Sequence, residues 1–305
     1  MRNRTRAVHV ALAAVLIAPL IKPLIAPLMA AGRSGESTRA DSVLTARHFN
    51  QGASMKVFNP TGAVRLVGWN HDSLEVRGNV SPRKRYFASG DANGMKLGVD
   101  EARVGEAPVH GDITVYLPRG TQVAVKTVNG DIDAADVSGW FYTIAGAVRI
   151  GGNATSIEVD AMRGDIDLGV SVPWLHVRAG SGHVVVHGVV QDVDVSTISG
   201  MLDVASSGIR RGQFSSVSGD IHWVGAPPVG AILDFSNHSG AVDIALPRSA
   251  LGSFLLSTVA GTITNGFMPL RPVSQEQHSV RLTRGRGGAD VTVRTFKGTI
   301  RVRPE

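Results

Sequence analysis

Aspartate follows glycine at Asp112, Asp131, Asp165 and Asp220, and this recurrence is the first pattern in the chain with chemical potential. If the segments carrying these residues stack, equivalent carboxylates could converge on a hard cation, which needs several oxygen ligands. The equivalent places elsewhere hold Ala147, His183, Met201, Ala241 and Thr262, so no column of carboxylates forms. The expectation is therefore solvent-facing turn aspartates and no metal site.

The histidines give a similar result. His183 and His187 flank three valines and point the same way along a strand, but four strand residues separate them by about 13 Å, too far for one ion. His176 could approach one of them only from a neighbouring strand. No nucleophile elbow or phosphate-binding glycine loop accompanies the many serines. Two surface clusters remain. Trp69, His71 and Asp72 form a polar-aromatic group suited to a sugar or a protein partner. Arg83, Lys84 and Arg85, followed by Tyr86 and Phe87, form a short basic patch suited to an acidic surface such as phospholipid headgroups or anionic glycans.

The elements that would position these residues are strands. A glycine is followed two and four residues later by apolar side chains: Gly130 by Ile132 and Ala134, Gly164 by Ile166 and Leu168, Gly182 by Val184 and Val186. A second apolar pair precedes most of these glycines by seven and five residues, as in Val123 and Val125 or Ile157 and Val159. Each unit thus holds two period-2 segments meeting at a turn. From Gly130 the glycine spacings are 16, 18, 18, 18, 19, 21 and 21 residues, then 37. Repetition at this interval marks a solenoid, and the unit is too short for a strand with a crossover helix. The predicted fold is all-β, a parallel β-solenoid of 18–21 residue glycine-punctuated repeats; the alternative is a β-sandwich or meander. Pairing of Ile166 with Val184, one repeat apart, distinguishes the two.

The ends of the chain differ in character. Arg2, Arg4 and Arg6 precede an apolar stretch over 7–21 and a second over 24–31 that ends in small residues, the order of a secretory signal peptide. Lys22 and Pro19, Pro23 and Pro27 interrupt it, so cleavage near Ala30 or Ala31 is expected, with membrane anchoring by 7–31 as the alternative. Residues 32–52 read as a polar linker, and 53–305 as the repeat domain with irregular insertions at 77–108 and 265–290. These insertions are long loops or end caps. The whole chain has 31 Lys and Arg against 25 Asp and Glu. Without the four basic residues of 1–31 the balance is 27 against 25, which argues against nucleic-acid binding despite the basic pI. With no cysteine, disulfides and thiol chemistry are excluded and the core alone must hold the fold.

The opening FNPTGAVRLVGW, the units VNGDID, MRGDIDL and VSGDIHW, and the closing GGADVTVRTFKGTIRV resemble a bacterial putative-adhesin family of β-strand repeat proteins. The resemblance implies an exported or envelope-associated solenoid with no agreed active site. The chain departs from the family pattern in its 77–108 interruption and in its replaced Gly-Asp dipeptides.

These observations predict a non-enzymatic exported envelope protein, without cofactor, whose surface meets a protein, a glycan or a membrane in the periplasm or at the cell surface. The alternatives are a polysaccharide-active β-helix enzyme, which would group Asp194 or Asp203 with arginines under the 265–290 excursion, and a membrane-anchored envelope regulatory module.

Overall fold

The computed structural model describes residues 42–106, 109–267, 274–276 and 278–305. The proposed signal segment, 1–31, lies outside them. Among the described residues no helix is long and apolar enough to cross a membrane.

The apolar alternation read from the sequence becomes a parallel β-solenoid. Ile166 pairs with Val184 and Val184 with Leu202, each in parallel register one repeat on. A sandwich or meander would have paired these segments antiparallel. The strands sort into two columns: one holds the strand before each corner glycine, such as Ser156–Arg163, and the other the strand after it, such as Val148–Asn153. Two long strands, Ile166–Ser181 and Val184–Thr197, run through both columns. Alternate side chains point inward and merge into one apolar core containing Ile157, Val159, Leu175, Val195, Phe214 and Phe235.

The corners explain the glycines. In stacking order they run Gly111, Gly62, Gly130, Gly146, Gly164, Gly182, Gly200, Gly219, Gly240, Gly298 and Gly261, and a Cβ on each after the first would overlap the carbonyl oxygen of the glycine before it. Close approach between coils is therefore the common requirement. Left-handed backbone adds to it at only some corners, such as Gly182 with φ +119°. Three residues before the glycine, a small polar side chain is buried inside the corner: the Gly200 amide donates to Thr197 Oγ1 at 3.0 Å, the Gly219 amide to Ser216 Oγ at 2.9 Å, and the Gly240 amide to Asn237 Oδ1 at 2.9 Å.

Stacking order departs from chain order at both ends. Ser54–Thr61 lies between Gly94–Val99 and Gln122–Asn129, so part of the 77–108 insertion forms a coil outside the first one. At the other end Ala289–Thr295 enters between Ile232–Asn237 and Gly252–Thr258, so the last coil in sequence is not the last in the stack.

Antiparallel strands cover the ends. Ser279–Arg284 pairs with Gly252–Thr258, Tyr86–Gly90 with Gly94–Val99, and Ser73–Ser81 with His110–Pro118. Ser42–His48, expected to belong to a polar linker, is instead an antiparallel strand on Ser73–Ser81, and Phe49 behind it is fully buried. Its alternation is mostly polar because it is an edge strand, and that concealed it from a search for apolar periodicity.

Candidate functional site

The turn aspartates hold the coils together through the backbone. Asp112 Oδ1 accepts from the amide of Ala63, Asp131 Oδ1 from Ala147, Asp165 Oδ1 from His183 and Asp220 Oδ1 from Ala241, each at 2.8 Å. In every case the donor belongs to the equivalent residue of the next coil. Aspartates on successive coils would sit about 4.8 Å apart and repel, which gives a physical reason for Ala147, His183 and Ala241 at the equivalent places of the neighbouring coils. Asp112 and Asp165 are exposed to solvent as expected, and the clamp on the next coil is a role the sequence did not disclose.

The histidines are divided among separate partners. His183 Nε2 lies 2.6 Å from Asp203 Oδ2 and His222 Nδ1 lies 3.1 Å from Asp203 Oδ1, while His187 sits 3.6 Å from Asp167. His176 is on the other column, 3.3 Å from Asp194, and approaches neither His183 nor His187. Among the described residues no group of histidine and carboxylate side chains is arranged to hold a metal ion.

The first sequence-predicted cluster is brought together only in part. Trp69 stacks on Tyr116 at 5.3 Å and meets the His71 ring edge-on at 5.1 Å. Its indole N–H donates to the Ser73 carbonyl at 2.8 Å, and Asp72 is turned away to accept from Gln51 at 3.0 Å. The basic tripeptide is split. Arg83 to Arg85 form one turn of 3-10 helix, in which Arg85 is ion-paired with Glu106 and Arg83 reaches the Val43 carbonyl at 3.4 Å. Among the described residues Lys84 alone of the three makes no ion pair or hydrogen bond, so the three cations do not act as one basic patch.

A further concave feature lies elsewhere, on the outward side of the pre-glycine column. A groove of about 640 Å³ runs across successive coils past Trp140, Tyr142, Met162, Ile198 and Val217, over a small-residue floor that includes Ser196, Ser215 and Ser236. Met162, Ile198 and Val217 all stand two residues before a corner glycine and are at least half exposed. The polar groups at one end are already engaged. Asp160 accepts from Arg178 Nε at 2.5 Å and from Trp140 Nε1 at 2.7 Å. Burial works to raise the Asp160 carboxyl, but these hydrogen bonds outweigh it and hold the group below its ordinary 3.8. Sequence reasoning missed this groove because its residues look like ordinary strand and turn positions. The recurring exposed apolar residue two before the glycine was the available signal.

A smaller recess of about 370 Å³ lies on the same outward side, nearer the start of each strand, and is lined by Trp174, Asp192, Arg211, Gln213, Ile232 and Asp234 among others.

The family model described as Toastrack DUF4097 matches residues 70–303. No match is found among curated proteins. Solved structures similar to this chain include a putative lipid binding protein from Parabacteroides distasonis, 11% identical over 88% of this chain and 98% of that one, with a TM-score of 0.47. A putative adhesin from Bacteroides fragilis is 14% identical over 85% of this chain and 96% of that one, with a TM-score of 0.32. A putative cell adhesion protein from Clostridium sporogenes is 9% identical over 87% of this chain and 100% of that one, with a TM-score of 0.23.

Proposed function

The chain belongs to the Toastrack DUF4097 family, and from that premise we propose that it is an exported, non-enzymatic binding protein of the cell envelope. In this reading the outward side of the pre-glycine column is its contact surface. The observation that carries the proposal is the 640 Å³ groove, rimmed by exposed Met162, Ile198 and Val217 on three of four successive coils, with Gly180 at the equivalent place between the first two. Exposed apolar side chains aligned in this way mark interaction surfaces more often than scattered ones do. Among the described residues Asp194 pairs with His176 and Asp203 lies between His183 and His222, partners that favour the binding reading over a polysaccharide-active enzyme. Support for export is the basic, apolar and small-residue order of residues 1–31.

A photo-crosslinking amino acid placed at Ile198 or Val217 in cells tests the contact surface, with His222 on the other column as control. Crosslinked products are expected from the first two positions and not from the third. Equal labelling at all three, or none, overturns the assignment of this surface. The mass of the protein recovered from envelope fractions tests export, with cleavage near Ala30 or Ala31 expected.

A further inference from the structure

We propose that the recess at Trp174 is a glycan-binding subsite that accepts a neutral oligosaccharide; the proposal rests on the reading of this protein as a binding protein and names a ligand class for its contact surface. Trp174 follows Pro173 where Ile166–Ser181 passes from one column to the other, and the residue remains 43% exposed. A tryptophan left this open forgoes much of its apolar burial, which is worth a few kcal/mol when complete. Its ring is nevertheless held in place, parallel to the His176 imidazole at 11° and 5.9 Å between centroids. His176 is fixed in turn by Asp194 at 3.3 Å.

The recess beside this platform is lined by planar polar groups whose charges are already balanced. Arg211 donates to both oxygens of Asp192, at 3.2 and 2.6 Å, and Arg294 donates to Asp234 at 3.0 Å. The Arg211 hydrogen bonds hold the Asp192 carboxyl below its ordinary value, so it stays ionised and accepting. Gln213 adds an amide able to donate and accept. Trp174, Asp192, Arg211 and Ile232 follow one another at the same register on successive coils, a span of roughly 14 Å.

A pyranose ring matches this combination. Its C–H face is apolar and packs on an indole, while its rim of hydroxyls both donates to carboxylates and accepts from guanidinium and amide groups. The other ligand classes fit less well. An acyl chain would leave the carboxylates and guanidinium groups of the recess facing hydrocarbon, which is costly. A polyanion would meet three aspartates whose arginine and histidine partners are already engaged. An added peptide strand needs an open sheet edge, whereas each strand lining the recess is paired on both sides. Trp140 lies on the same outward side, two coils from His176 by register, and offers a second aromatic surface for a longer chain.

The test is isothermal titration of the purified full chain with three hexasaccharides: one of β-1,4-linked glucose, one of β-1,4-linked N-acetylglucosamine and one of galacturonate. Binding of at least one neutral probe, tighter than the galacturonate probe, is expected. Trp174→Ala should weaken that binding about tenfold, Trp174→Phe should recover part of the loss, and Gln213→Ala should weaken it severalfold. His222→Ala, on the other column, should leave it unchanged. A thermal melt of Trp174→Ala close to that of the parent shows that the loss is local. The proposal is overturned if neither neutral probe binds, if galacturonate binds best, or if Trp174→Ala binds as the parent does. Crosslinking at Ile198 with no effect of Trp174→Ala overturns the glycan subsite and leaves the binding-protein reading intact. Glycan binding lost in Trp174→Ala, with no crosslinking at Ile198, upholds the subsite and moves the contact surface away from the larger groove.

Discussion

Gly200→Ala separates steric contact between coils from backbone conformation as the reason for the corner glycines. Gly200 is not in the left-handed region, yet a Cβ there would overlap the Gly182 carbonyl oxygen. To admit the methyl group the two coils must part locally. The bonds that clamp this corner are Val184 N–H to the Met201 carbonyl and Leu202 N–H to the Asp220 carbonyl, both at 2.9 Å. Forcing a methylene-sized group into a packed site costs about 1–3 kcal/mol, and weakening the flanking hydrogen bonds adds about 1 kcal/mol. The expected loss is therefore about 3 kcal/mol, or a fall in melting temperature of roughly 6–12 °C for a chain of this size.

Two further substitutions calibrate the result. Gly52→Ala meets nothing within 4 Å but has φ +74°, so only the conformational cost of about 1 kcal/mol applies. Gly182→Ala carries both penalties, with φ +119° and a Cβ that would overlap the Gly164 carbonyl oxygen. Urea denaturation followed by circular dichroism should rank the losses Gly182→Ala, Gly200→Ala, Gly52→Ala, with an unchanged m-value keeping the comparison like for like. A Gly200→Ala loss no larger than that of Gly52→Ala would refute the close-approach argument.

Three other outcomes follow from the same geometry. Asp165→Ala removes the acceptor of the His183 amide; a loss of about 1 kcal/mol and faster hydrogen exchange at that amide, with little change at Leu202, are expected by NMR. Because the Asp160 carboxyl is held below its ordinary 3.8 in the folded protein, its ionised form contributes stability that is fully present above that value and lost as pH falls through the lower folded one. The stability difference between the parent and Asp160→Asn should therefore be constant near neutrality and shrink below pH 3.8, as read from denaturation curves across pH; a difference that persists unchanged in acid contradicts the assignment. Deleting residues 42–48 uncovers the edge of Ser73–Ser81, and light scattering should then show concentration-dependent self-association absent from the parent chain.

Much of this architecture is local and was legible in the residues alone. Period-2 alternation such as Ile157, Val159 or Val193, Val195 depends only on which side chains avoid water, and the corner glycines recur wherever coils approach each other too closely for a Cβ. Their spacing therefore disclosed both the strands and the stacking. The polar residues buried three before the glycine, Thr197, Ser216 and Asn237, were hidden because serine, threonine and asparagine look like ordinary turn formers until the amide they accept from is known.

Stacking order was beyond the sequence. Nothing near Ala289–Thr295 announces that it enters between Ile232–Asn237 and Gly252–Thr258, because every coil presents a similar apolar edge and the choice depends on contacts with distant segments. The same holds for the candidate sites. Trp174, Arg211 and Ile232 are separated by many residues and become neighbours only through parallel register, whereas Trp69, His71 and Asp72 are adjacent in sequence and yet diverge in their partners. Side-chain periodicity sets the strands and corners of this protein; the register between coils decides which side chains share a surface.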